Sequence, residues 1–160
     1  LKVEYINPFV LSVIEVFETM LSAQAKRGAI GLYDGDPAKL RNQVTALIGL
    51  SGHISGTVAM GFSMDMARQA VGRLLDQGES VEDALITDGV AELVNMIAGG
   101  AKARLTAAQD KPIDLGLPSV VRGEDFTVTY PRDAKWLEIP FETSLGEMIL
   151  RVTFRDGPAR

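Results

Sequence analysis

Residues 80–107, SVEDALITDGVAELVNMIAGGAKARLTA, are the stretch from which the fold is read. Ile86, Val90, Leu93, Ile97 and Ala101 recur three and four residues apart, the period of a helix that buries one face. Ser80, with Asp83 three residues on, resembles a capping box and sets the expected start. At roughly 100° per residue, Glu92, Asn95, Gly99 and Lys102 fall at about +40°, −20°, +20° and −40° from Asp88. These five residues therefore share one narrow stripe opposite the apolar one. Gly99-Gly100 costs roughly 1 kcal/mol per glycine against alanine. The pair is either a weakness in the helix or a place where something approaches the backbone closely. An acid, an amide and a glycine in line form a ridge that a partner could approach. The same pattern also describes an ordinary solvated face, where repulsion between Asp88 and Glu92 amounts to only about a few tenths of a kcal/mol.

Working outward, Asn7-Pro8 reads as a helix start, with Val10, Val13, Ile14, Phe17 and Leu21 forming an apolar stripe to about Lys26. Asp34-Gly35-Asp36-Pro37 signals a turn. Residues 44–50 and 57–62 read as a hairpin turned at Gly52-His53-Ile54-Ser55-Gly56. Ser63 is placed to cap a short helix over residues 66–75. After Pro112, strand-like segments cover residues 119–121, 126–130, 136–141 and 147–154. In the last of these Met148, Leu150, Val152 and Phe154 face one way and Glu147, Arg151 and Thr153 mostly the other. Residues 156–160 read as a frayed tail. Each half supplies a helix and a later hairpin, so a duplicated α+β layout is expected, with long helices packed on a mainly antiparallel sheet.

The chain has 160 residues, which fits one domain over 1–160. Its net charge of −5, from 16 basic and 21 acidic residues, argues against nucleic acid, which needs a basic stripe, and favours a basic protein partner. No run approaches the roughly 18 apolar residues of a membrane span, so no membrane partner is expected. Leu1-Lys2-Val3-Glu4 lacks the order of a signal peptide. The absence of cysteine removes thiolate chemistry and fits a cytoplasmic setting. His53 is the sole histidine, so no multi-histidine metal site exists, and its glycine-rich turn makes it a surface residue. Gly49-Leu50-Ser51-Gly52-His53 has His where a nucleophile elbow needs Gly, and a strand follows it rather than a helix. No phosphate-cradling glycine motif is present.

The segment Asp88-Gly89-Val90-Ala91-Glu92-Leu93-Val94-Asn95-Met96-Ile97-Ala98-Gly99 closely resembles the signature helix of the CheC/CheX/FliY chemotaxis phosphatase family: Asp or Ser, three residues, Glu, two residues, Asn, then small and apolar residues. Tyr5-Ile6-Asn7-Pro8-Phe9, Ala46-Leu47-Ile48-Gly49-Leu50-Ser51-Gly52 and Leu117-Pro118-Ser119-Val120-Val121-Arg122-Gly123 resemble CheX-type members in the same order, so the resemblance spans nearly the whole chain.

The resemblance implies a CheC-like two-layer fold and an enzyme that dephosphorylates the aspartyl-phosphate of a CheY-like receiver domain. On that reading Asn95 holds the attacking water in line and Glu92 pairs with the receiver's active-site lysine. Asp88 and Gly99 belong to the surface that binds the substrate protein. It also implies no metal or other cofactor on this chain, with Mg2+ held by the receiver, and a homodimer. Two-site CheC proteins repeat Glu-x-x-Asn on the first helix. Here that helix reads Glu15-Val16-Phe17-Glu18, which implies one site per chain, as in CheX. The alternative is a non-catalytic CheC-like module that binds a receiver or a flagellar-switch component.

Overall fold

The computed structural model describes residues 3–33, 43–124, 126 and 134–156. Helix α1 (Val3–Leu21) precedes two short strands, β1 (Ala25–Arg27) and β2 (Gly31–Leu32), and a long hairpin of β3 (Val44–Gly52) and β4 (Ile54–Phe62). Helix α2 (Met64–Leu74) and a 3-10 turn at Gly78–Ser80 lead to α3 (Asp83–Gln109). Two more short strands follow, β5 (Ile113–Leu115) and β6 (Ser119–Arg122), and then the hairpin of β7 (Leu137–Thr143) and β8 (Gly146–Asp156). The strands form one antiparallel sheet in the order β1-β7-β8-β4-β3-β5, with β2 also on β7 and β6 also on β3.

The duplicated layout is visible in this pairing. Each half is a helix, two short strands and a hairpin, and each pair of short strands crosses to the other half's hairpin. The hairpins meet where β4 pairs β8, with Val58 opposite Val152 midway. All three helices bury their apolar faces on one side of the sheet, against Val44, Ile48, Met60, Phe62, Leu150 and Val152 among others. Phe9 of α1 stacks on Phe154 of β8 at 5.5 Å between ring centroids, and Tyr5 meets the same ring edge-on.

Several local expectations are corrected. Helix α1 already includes Val3, and Pro8 lies inside it rather than at its start. An interior proline costs about 3 kcal/mol. Burial of Tyr5, Ile6 and Phe9 to 5%, 1% and 0% exposure, worth roughly 1.5–3 kcal/mol for each large apolar side chain, outweighs that. The helix stops at Leu21, because residues 25–27 leave it to pair with β7. The first hairpin's own pairing ends at Leu50 and Gly56, and only His53 lies outside a strand because Gly52, at φ +122, pairs with β5 and Ile54 pairs with β8. A Cβ at Gly52 would sit 2.6 Å from the Pro112 carbonyl oxygen, so only glycine fits. Gly56 is a strand residue, pressed so closely on the Thr153 backbone that no side chain has room. Ser63 does cap α2, accepting from the Met66 N–H at 3.1 Å. Ser80 does not cap α3. Its hydroxyl donates to the Gln77 carbonyl at 2.6 Å, and Glu82 takes the cap position without a side-chain bond.

Strand β8 alternates as expected, but its second face is also covered. Arg151 and Thr153 are 7% and 8% exposed. Arg151 donates to Glu138 at 2.9 Å and lies 4.2 Å over the Tyr33 ring, while Trp136 packs on Ala59 nearby. The expected turn at Asp34–Pro37 lies outside the described residues, as does all of the expected strand at 126–130 except Phe126; of the expected tail at 156–160, Asp156 still belongs to β8 and the rest lies outside them. By length and composition α3 could cross a membrane. In this fold its apolar stripe is instead packed on α1, α2 and the sheet.

Candidate functional site

Two glycines seat α3. A Cβ at Gly89 would collide with Val71 of α2, and one at Gly100 would collide with the Ser12 hydroxyl of α1. Ser12, fully buried, donates that hydroxyl to the Ile97 carbonyl at 2.7 Å. The expected core stripe is fully buried, with Ile86, Val90, Leu93, Ile97 and Ala101 at no more than 1% exposure. The opposite face is therefore held outward on a rigid element, which is the requirement for placing a catalytic group accurately.

That outward face carries every residue singled out from the sequence. Asp88, Glu92 and Asn95 are exposed, and Gly99 and Lys102 are half-buried further along the same ridge. Among the described residues, Asp88, Glu92 and Asn95 have no side-chain hydrogen bond or ion pair, so their polar atoms face solvent. Lys102 differs: its Nζ lies 3.8 Å from the Asp114 carboxylate of β5. The two glycines also separate. Gly100 is filled by α1, whereas a Cβ at Gly99 would meet nothing within 4 Å. Among the described residues no group of three or more His, Cys, Asp or Glu is placed to hold a metal ion.

Residues 44–142, more than half of the chain, match the family described as chemotaxis phosphatase CheX. The chain belongs to the CheX family. A Thermotoga maritima relative, CheY-P phosphatase CheX, is 27% identical over 124 residues, covering 77% of this chain and 78% of the relative. The crystal structure of chemotaxis protein CheX from Vibrio vulnificus matches with a TM-score of 0.82 at 28% identity, over 95% of this chain and 99% of that one. A Borrelia burgdorferi CheX, solved in complex with CheY, BeF3 and Mg2+, shares the fold with a TM-score of 0.77 at 22% identity, over 97% of this chain and 100% of that one.

The first helix of this CheX-family chain corrects an expectation: because α1 starts at Val3, it carries a second Glu-x-x-Asn, Glu4 to Asn7, with both residues exposed. Four residues after Asn7, however, stands Leu11, 53% exposed, where the open Gly99 stands four residues after Asn95. Further along α1, Glu15 is held by the Arg104 guanidinium of α3, and Glu18, three residues on, is not an amide. One feature beside the ridge escaped the sequence reading. A groove of about 460 Å³ lies between α1, α2 and α3, lined by Met20, Leu75, Leu85 and Met96 together with Asp88 and Glu92. Its walls come from three elements, so no single periodic pattern marks it. The available signal was Leu85 and Met96, which fall at roughly +60° and +80° from Asp88, between the ridge and the core.

Proposed function

We propose that this chain hydrolyses the aspartyl-phosphate of a phosphorylated CheY-type receiver domain, using Glu92 and Asn95. The observation that carries this reading is an unpaired carboxylate and an unpaired amide, three residues apart, projecting from a helix whose other face is fixed in the core. Phosphoryl transfer to water asks chiefly for positioning and charge stabilisation, and it needs no nucleophile on the enzyme. Asn95 serves as the positioner: its amide can donate to and accept from one water without titrating. The water oxygen attacks phosphorus in line, the bond from phosphorus to the receiver's aspartate oxygen breaks, and the freed carboxylate stays on the receiver. Inorganic phosphate leaves carrying both of the water's protons. Glu92 pairs with the receiver's active-site lysine, which docks the helix and fixes that lysine. The receiver's own acidic pocket holds Mg2+, an oxygen-seeking ion that bridges phosphate.

Asp88 and Gly99 extend the docking surface on either side of that pair. Open space at Gly99 lets a partner come close to the helix backbone. The choice of substrate is supported by the Thermotoga relative, a CheY-P phosphatase, and by the complex that the Borrelia relative forms with CheY.

Phosphate release from phosphorylated CheY with Mg2+ tests the reading. Asn95→Ala is expected to lose about 10²-fold or more in kcat, the scale of losing one orienting hydrogen-bond group. Glu92→Ala is expected to raise KM as well as lower kcat. Both residues are exposed, so neither change should alter thermal unfolding appreciably. Full activity in the Asn95→Ala protein would refute the mechanism. Binding of CheY with no change in phosphate lifetime would make the chain a binding module instead.

A further inference from the structure

The groove beside the ridge has no part in the chemistry just described, yet it shares two residues with it. Met20 and Leu75, on its walls, are 44% and 41% exposed, and Leu85 and Met96 are half-buried. Asp88 and Glu92 complete the lining. Resting on the proposed phosphatase reading, we infer that this groove receives a large apolar side chain of the docked receiver, next to the cation that pairs with Glu92, and thereby selects which receivers are substrates.

Continuity carries the first part of the argument. Glu92 stands on both ridge and groove, and Met96 directly follows Asn95, so any molecule seated on the pair overlies the groove. Charge decides between occupants. Asp88 and Glu92 are unpaired among the described residues. A second copy of this chain would set acid against acid, whereas a receiver brings a lysine. The groove has room for a large side chain: about 460 Å³ lies within the roughly 300–1,000 Å³ of ligand pockets. Two methionines in the wall can reshape around different apolar groups.

The test is a titration of phosphorylated CheY against the wild-type chain and the Met20→Ser/Leu75→Ser variant, following phosphate release. KM is expected to rise about tenfold or more, with kcat at saturation within about twofold, because the groove contributes binding rather than chemistry. Met20→Leu/Leu75→Met is expected to restore KM, and Leu75→Ser alone serves where the double variant loses its fold. An unchanged KM, or a loss confined to kcat, would overturn the groove while leaving the phosphatase reading intact, provided Asn95→Ala is inactive. A wild-type chain that releases no phosphate would overturn both.

Discussion

At the scale of single residues, adjacent glycines on α3 have different reasons to be glycine. Gly100 faces Ser12, which is fully buried and bonded to the Ile97 carbonyl, so an added methyl has nowhere to go. Gly100→Ala is expected to destabilise the fold by about 1–3 kcal/mol, the range for overpacking a tight contact. Gly99 meets no neighbour, so Gly99→Ala is expected to stabilise the free protein by up to about 1 kcal/mol, the helix-propensity difference. The same change should lower kcat/KM by about tenfold, because a displacement of roughly 1 Å from a productive pose can cost up to 10²-fold. Thermal unfolding and phosphate release read the two effects separately. A Gly99→Ala protein with wild-type turnover would mean that no partner uses that space. Helical spacing already put Gly99 on the ridge, and the resemblance already gave Glu92 and Asn95 their roles. What spacing could not reveal was which glycine of the pair served the fold, since that depends on Ser12, which lies 88 residues earlier in the chain.

At the scale of elements, the start of α3 is secured by a clamp rather than by a cap. Arg122 of β6 donates to the Asp83 carboxylate at 2.5 Å and to its backbone carbonyl, and Arg68 of α2 donates to the same carboxylate at 3.0 Å. The Arg122 hydrogen bond, the largest influence, holds the Asp83 carboxyl below the usual carboxylate range; desolvation opposes it, and the Arg68 hydrogen bond and the charges of both arginines add to the lowering. The folded chain thus favours the ionised form more than the unfolded chain does. Its stabilisation is fully present above the ordinary Asp value of about 3.9 and is lost as pH falls through the lowered folded value. Asp83→Asn is accordingly expected to lower Tm at neutral pH, with the gap from wild type closing as the pH falls below the ordinary Asp value of about 3.9. A gap that persists undiminished in acid would mean that the clamp does not act through charge. The body of α3 was legible because one apolar pattern repeats from Ile86 to Ala101, over about four turns. Its start was misread because Ser80-x-x-Asp83 has the spacing of a capping box, while the arginines that claim Asp83 come from other elements. Strands β1, β2 and β5, of 3, 2 and 3 residues, are too short to show any period, and they are strands only because a hairpin edge lies beside them.

At the scale of the whole molecule, a duplicated fold could carry two sites, and the two long helices differ in what surrounds a shared Glu-x-x-Asn. Each half places over the sheet a helix with an exposed Glu and Asn three residues apart, Glu4 and Asn7 on α1 and Glu92 and Asn95 on α3. On α3 the open Gly99 follows, whereas on α1 the exposed side chain of Leu11 fills the same place and keeps a partner off the backbone. Further along α1, Glu15 is committed to Arg104, and Glu18 is a carboxylate that cannot both donate to and accept from a water when ionised. The Glu15–Arg104 pair bridges the two helices at the surface, with Glu15 55% exposed, where such pairs are worth about 0–1 kcal/mol. A variant carrying Glu4→Ala, Asn7→Ala and Glu15→Ala, all at exposed positions, is therefore expected to fold and to keep phosphate release from phosphorylated CheY within about twofold of wild type. Glu92→Ala/Asn95→Ala is expected to reduce release to the receiver's own background rate. Calorimetry should give one receiver per chain in the wild type and in the α1 variant. Residual acceleration in the α3 double variant, removed by the α1 changes, would place a second working site on the first helix. The duplication would then be functional, and not only the way in which two hairpins and two helices close one core.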